Sequence, residues 1–68
     1  MEFGKILKDL RKEKNLKQSD LGKILNVENN TISSWERSNS EPNLEQLRQI
    51  AKYFKVTSDY FIRFRNLI

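Results

Sequence analysis

The residues best equipped for hydrogen-bonding chemistry lie in one short stretch, VENNTISSWE, at positions 27–36. Half of this stretch is Asn, Ser or Thr, which helix interiors tolerate poorly because their side chains compete for backbone hydrogen bonds. Ile32 and Trp35 nevertheless stand three residues apart, the spacing of one helical face. We therefore interpret residues 28–37 as a helix whose polar face serves binding rather than stability.

This polar face carries side chains of the type that reads base edges in DNA. With Ile32 turned to the core, the opposite side presents Asn29, Asn30, Ser33 and Ser34. Asn pairs bidentately with the N6/N7 edge of adenine, and Ser bonds to either kind of base. Glu28 would also lie close to DNA, where it would either accept from cytosine N4 or repel phosphate. The alternatives are a solvated surface, or a glycosylation sequon that no secretory signal supports.

The charge balance of the chain suits a polyanion as partner. The 68 residues contain 13 Lys and Arg against 9 Asp and Glu, a net charge of +4 with a pI near 9.6. A small basic domain of this kind suits binding to nucleic acid or to an acidic membrane surface. The net charge alone is equally consistent with a soluble protein that has an ordinary charge bias. The length predicts one domain, spanning 1–68, with a core of marginal size.

Composition also argues against several classes of function. Cys and His are both absent, which excludes disulfides, the usual zinc sites and His-based catalysis. The chain has no phosphate-cradling glycine loop and no convincing pair of carboxylates. We therefore expect no enzyme activity, no cofactor, no metal and no small-molecule site. No apolar run is long enough for a membrane span, so we expect a cytoplasmic protein.

Apolar residues at helical spacing predict an all-α domain of five short helices. The predicted helices cover residues 2–14, 18–25, 28–37 and 44–54, and a last one that starts at Thr57 or Ser58 and runs through Phe61. Asn43 and Gln46 form a capping-box pattern at the start of the fourth helix. Asn26 is suited to the left-handed conformation that ends a helix.

The second and third predicted helices, joined by two or three residues, form a helix-turn-helix pattern. The segment QSDLGKILNVENNTISSWER resembles the helix-turn-helix of phage-repressor/Cro-type (XRE-like) DNA-binding domains. The matching positions are Gln18, Leu21, Gly22, Asn26, Val27, Ile32, Ser33, Trp35 and Glu36. The similarity continues through EPNLEQLRQIAKYFKVTSDYF and covers residues 3–62. It implies a compact five-helix lambda-repressor-like domain in which helix 3 enters the major groove.

The resemblance also implies contacts to the DNA backbone. Gln18, at the start of helix 2, matches a residue that hydrogen-bonds a phosphate, and the helix N-terminus favours the anion. The other positions matching backbone contacts are Thr31, Arg37, Asn39 and Ser40. Lys17, beside Gln18, would add an ionic contact. Each of these residues would otherwise be plain surface.

A further pair of residues is expected to brace the motif rather than to touch DNA. The family commonly pairs an arginine of helix 1 with the glutamate that ends helix 3, and Arg11 and Glu36 stand at the matching positions. We expect a partly buried ion pair between them, and a packing role for Trp35.

Five positions depart from the family pattern. Lys17 and Glu28 stand where the family usually has the Ser or Thr cap of helices 2 and 3. Asn26 and Ser38 replace common glycines, and Ser38 is the less suitable left-handed residue, so the loop after helix 3 is expected to bend differently. Ile24 stands at a position that is usually polar.

The C-terminal residues continue an apolar pattern past the family-like region. We expect Phe61, Phe64, Leu67 and Ile68 to form a homodimer contact, because relatives often dimerise through helix 5; the alternative is a cut or frayed end. Residues 63–68 would then be a dimerisation tail or the start of a linker. A twofold dimer would bind a pseudo-palindromic double-stranded operator.

Taken together, these patterns predict a sequence-specific DNA-binding transcriptional regulator of bacterial or phage type, in the first place a repressor. The alternative is an antitoxin or protein-interaction module that uses the same fold, with helix 3 facing a protein. Binding to a protein that is insensitive to salt, without retention on DNA, would favour that alternative.

Overall fold

The computed structural model describes residues 3–56, and this part of the chain is all-α. Its helices are α1 (Phe3–Glu13), α2 (Gln18–Leu25), α3 (Asn29–Glu36) and α4 (Leu44–Phe54). The first four predicted helices are thereby confirmed to within a residue at each end. The described residues hold four helices rather than five, because the predicted fifth lies outside them. None of the helices between residues 3 and 56 has the length and apolar character needed to cross a lipid bilayer.

The core takes one apolar face from each helix. The fully buried side chains are Leu7, Leu21, Ile32, Leu47 and Ile50, so every described helix contributes at least one. α3 packs against both α1 and α2. A helix of eight residues is too short to be stable alone in water, so α3 depends on this two-sided packing. Its remaining side carries the exposed residues Asn29 and Asn30.

The N-termini of α4 and α2 are capped in two different ways. At α4 the Asn43 carboxamide accepts from the backbone N–H of Gln46 at 2.8 Å, and the Gln46 side chain accepts from the N–H of Asn43 at 2.9 Å. This confirms the capping box. At α2 the Lys17 side chain cannot accept such a bond. The carboxylate of Asp20 instead accepts from the backbone N–H of Lys17 at 2.9 Å, which keeps half of the capping box.

The connections before and after α3 use left-handed residues. Asn26 ends α2 with φ 59°, as predicted, and the N–H of Val27 donates to the carbonyl of Gly22 at 2.8 Å. Ser38 follows α3 with φ 62°, and its N–H donates to the carbonyl of Trp35 at 3.1 Å. The serine therefore adopts the backbone conformation that a glycine would adopt more easily.

Gly4 allows the backbones of α1 and α3 to approach closely. A Cβ placed on Gly4 would lie 2.5 Å from the carbonyl oxygens of Trp35 and Glu36, which is closer than real Cβ atoms come to backbone. α1 thus rests directly on the C-terminal end of α3. The close approach fixes the end of the helix that carries the polar face.

Candidate nucleic-acid interface

α3 separates an apolar side from a polar side, as the sequence predicted. Ile32 and Trp35 are 0% and 3% exposed and pack into the core. Glu28, Asn29 and Asn30 are exposed at the N-terminal end. Within residues 3–56, the side-chain amides of Asn29 and Asn30 make no hydrogen bond. Their donors and acceptors are therefore available to another molecule, which is the arrangement that base recognition requires.

The C-terminal half of the polar face is tied to the loop that follows it. Ser34 and Ser40 share a hydrogen bond between their hydroxyl oxygens at 2.7 Å, and Arg37 Nε donates to the carbonyl of Ser33 at 3.3 Å. Ser33 and Ser34 are half-buried, whereas Arg37 and Ser40 are exposed. The sequence pointed to each of these residues separately, but it gave no sign that Ser34 and Ser40 touch.

A bidentate ion pair joins the last turn of α1 to the last residue of α3. Arg11 Nε lies 2.6 Å from Glu36 Oε2, and Arg11 Nη2 donates to Glu36 Oε1 at 3.1 Å. The two side chains are 10% and 3% exposed. Two parallel bonds of this kind fix the relative orientation of the groups as well as balancing their charges. The end of α3 is held firmly against α1.

The same ion pair reaches the start of α2. Arg11 Nη1 donates to the carbonyl of Leu16 at 2.7 Å, just ahead of the helix. Gln18 Nε2 donates to Glu36 Oε1 at 3.0 Å. The four residues Arg11, Leu16, Gln18 and Glu36 form what we call the bracing network. It connects α1, the loop after it, the first residue of α2 and the end of α3.

The contact between Gln18 and Glu36 was not predicted. The resemblance implies that Gln18 binds a phosphate, and the sequence gives no local sign of a second partner, because the two residues are eighteen positions apart. The predicted pairing of Glu36 with Arg11 was the one available clue, since it places an acceptor at the end of α3.

The remaining predicted contact residues differ in their exposure to solvent. Lys17 is exposed beside Gln18, Asn39 is exposed in the loop after α3, and Thr31 is half-buried on α3. The predicted dimer residues lie beyond residue 56, outside the described part of the chain. The described surface therefore combines the polar face of α3 with the N-terminus of α2 and the loop after α3.

The chain is similar to regulators from bacteria and phage. It is 43% identical over 68 residues to the HTH-type transcriptional activator BcrR of Enterococcus faecalis, spanning all of this chain and 33% of that protein. It is 38% identical over 61 residues to the repressor protein C2 of Salmonella phage P22, spanning 90% of this chain and 28% of that protein. It is 31% identical over 62 residues to the HTH-type transcriptional regulator ImmR of Bacillus subtilis (strain 168), spanning 91% of this chain and 49% of that protein. The chain therefore spans between about a quarter and a half of these relatives.

The fold is also that of a phage repressor whose structure has been solved twice. The crystal structure of the P22 c2 repressor in complex with a synthetic operator matches with a TM-score of 0.81 at 39% identity, covering 87% of this chain and 89% of that one. The solution structure of the DNA-binding domain of the same repressor matches with a TM-score of 0.81 at 38% identity, covering 88% and 79%. A helix-turn-helix family model matches residues 7–61. The chain belongs to the helix-turn-helix family of phage-repressor/Cro type (XRE-like).

Proposed function

We propose that this chain is the DNA-binding domain of a sequence-specific transcriptional regulator, and that α3 is its recognition helix. The observation that carries the proposal is the exposed pair Asn29 and Asn30, whose amides are unbonded within residues 3–56. They stand at the N-terminal end of α3, the part of a recognition helix that meets base edges. The P22 c2 repressor, which has a similar fold, was solved with an operator, and this supports DNA binding by the chain.

We assign base contacts to Asn29, Asn30, Ser33 and Ser34, and to Glu28 at the N-cap of α3. The two asparagines are exposed and suited to adenine. The Ser34 hydroxyl is hydrogen-bonded to the Ser40 hydroxyl, so Ser34 would contact a base together with the loop that follows α3. Glu28 caps α3 without a side-chain hydrogen bond. Its carboxylate is therefore free to accept from cytosine.

Phosphate contacts are assigned to the ends of the neighbouring elements. Gln18 and Lys17 stand at the N-terminus of α2, where unpaired backbone N–H groups favour an anion. The remaining members of the set lie on α3 and the loop after it: Thr31, Arg37, Asn39 and Ser40. Such contacts orient a protein on the duplex without reading its sequence. They set the general affinity, and the asparagines set the preference.

We further propose a fifth helix starting at Thr57 or Ser58 and a homodimer formed through Phe61, Phe64, Leu67 and Ile68. Residues 63–68 would be the dimerisation tail, and residues 1–68 one DNA-binding domain. A twofold dimer places two recognition helices about 34–36 Å apart, one turn of DNA. Sedimentation equilibrium should find a dimer on the operator, and a single monomer on a symmetric site would contradict the dimer.

Selection of binding sites from a random pool of duplex DNA tests the proposed function. The wild-type chain should enrich a twofold-symmetric site that contains adenine in each half. The matched control is the double variant N29A/N30A, which keeps the net charge, changes only exposed side chains and should be retained on DNA with little enrichment. Enrichment of the same site by both proteins would reject the recognition role of α3. Absence of any retention at low salt would reject DNA binding.

Regulation is proposed to be repression in the cytoplasm of a bacterium or of a phage-infected host. A DNA-binding domain can block transcription by occupying a promoter, without contacting another protein. Among the relatives, one is named an activator and another a repressor. A reporter gene placed behind the selected operator should fall in expression when the chain is produced, and a rise would reverse the proposed sign.

A further inference from the structure

Glu36 accepts hydrogen bonds from two different side chains, one of which belongs to the proposed phosphate-binding set. Arg11 bonds to both carboxylate oxygens, and Gln18 Nε2 shares Oε1 with it. We propose that Glu36 is a positioning residue for DNA binding, because it fixes the orientation of the Gln18 amide before DNA arrives. This inference rests on the proposed function and assigns Glu36 a role beyond the ion pair.

The orientation follows from the chemistry of the two groups. An ionised carboxylate only accepts hydrogen bonds, whereas a carboxamide has a donating end and an accepting end. If the Gln18 amide were flipped, its oxygen would face Glu36 Oε1 at the 3.0 Å that now separates nitrogen from oxygen. Two acceptors at that distance repel each other. Glu36 thus holds Nε2 inward and excludes the flipped amide.

The fixed orientation leaves Gln18 with a donor for a phosphate. Nε2 carries two hydrogens, and Glu36 takes one of them. The second remains for an acceptor-only group such as a phosphate oxygen. A side chain that is already ordered loses less rotamer freedom on binding, which corresponds to about a twofold to tenfold gain in affinity.

Arg11 supplies the positive charge that the buried carboxylate of Glu36 needs. The Glu36 side chain is 3% exposed, and its charge is balanced by the guanidinium rather than by Gln18. Arg11 also bonds to the carbonyl of Leu16, which fixes the chain that leads into α2. Gln18 is therefore positioned through its side chain and through its backbone by the same two residues.

The double variant R11M/E36Q separates positioning from charge. It removes one positive and one negative group, so the net charge and the long-range attraction to DNA stay the same. The neutral amide at position 36 accepts or donates, so it no longer selects one orientation of Gln18. Binding to the selected operator and to an unrelated duplex should weaken about twofold to tenfold, by the same factor on both.

A double-mutant cycle with Gln18→Ala supplies the decisive comparison. In the wild-type background this substitution should weaken binding to both duplexes by about tenfold, as expected for a hydrogen bond to a charged group. In the R11M/E36Q background it should cost clearly less. Equal costs in the two backgrounds would overturn the inference. A loss confined to the operator would also overturn it, because that result means that the network positions α3 instead.

The wild-type chain offers a second measurement if R11M/E36Q does not fold. In NMR spectra of ¹⁵N-labelled protein, one Nε2 proton of Gln18 should be protected from exchange before DNA is added and unchanged afterwards. The other should shift when the operator binds. Two freely exchanging protons in the absence of DNA would reject the contact with Glu36. Failure of the wild-type chain to bind any duplex would reject the proposed function, whereas binding without coupling would reject this inference alone.

Discussion

The guanidinium of Arg11 meets the carboxylate of Glu36 through two parallel contacts, at 2.6 Å between Nε and Oε2 and at 3.1 Å between Nη2 and Oε1. The contact joins the last turn of α1 to the end of α3. Both side chains are almost fully removed from solvent, so each charge depends on the other. The position of α3, the proposed recognition helix, therefore depends on the ion pair between Arg11 and Glu36.

Breaking this pair should destabilise the fold more than removing it altogether. Arg11→Ala and Glu36→Ala each leave a buried charge without its counter-ion, which costs about 3–5 kcal/mol. The double variant R11A/E36A should cost less than the sum of the two. Urea denaturation gives the three free energies of unfolding. Lys12→Ala, at an exposed position of the same helix, is the control and should change stability by about 0.5 kcal/mol or less. Additive single effects would contradict the coupling.

Gly4→Ala should destabilise the protein although alanine is the better helix former. The new Cβ would lie 2.5 Å from two backbone carbonyl oxygens of α3, and overpacking of this kind costs about 1–3 kcal/mol. The gain in helix propensity recovers at most about 1 kcal/mol. Thermal unfolding should show a lower midpoint for Gly4→Ala, with Lys8→Ala on the exposed face as the control. An unchanged or higher midpoint would mean that α1 moves away from α3 without cost.

Ser38→Gly should stabilise the protein. Ser38 has φ 62°, and the left-handed conformation costs a residue with a Cβ about 1–2 kcal/mol. Part of this gain is lost to the greater freedom of glycine in the unfolded chain, so we expect about 0.5–1 kcal/mol. Gln49→Gly, at an exposed position within α4, is the control and should lose about 1 kcal/mol. A loss of stability in both variants would show that the Ser38 backbone is not strained.

Lys17→Ala and Asn30→Ala should affect DNA binding in different ways. Lys17 is assigned to a phosphate, so its loss should weaken binding to all duplexes alike and reduce the slope of log affinity against log salt by about 1. Asn30 is assigned to a base, so its loss should remove about 1–3 kcal/mol of discrimination and leave the slope unchanged. Titrations of operator and unrelated duplex over a series of salt concentrations measure both quantities. Identical behaviour of the two variants would contradict the division of roles.

Local sequence patterns were sufficient to predict the helices and their ends. The periodic apolar residues placed all four described helices, and the types of Asn26 and Asn43 were enough to place a left-handed turn and a cap. Contacts between distant positions were harder to predict. The bond from Gln18 to Glu36 and the approach of Gly4 to α3 depend on how helices meet in space. No local propensity encodes that arrangement.

Asparagines of α3 are proposed to read adenine in the major groove. Replacing each operator adenine in turn by 7-deazaadenine removes the N7 acceptor and leaves Watson–Crick pairing intact. For the wild-type chain, the affinity should fall at one or more adenines in each half-site, by about 0.5–1.5 kcal/mol for the one hydrogen bond to N7 that each replacement removes. For the N29A/N30A variant, the same replacements should have no effect. Wild-type affinity that is unchanged at every replaced adenine would contradict the account.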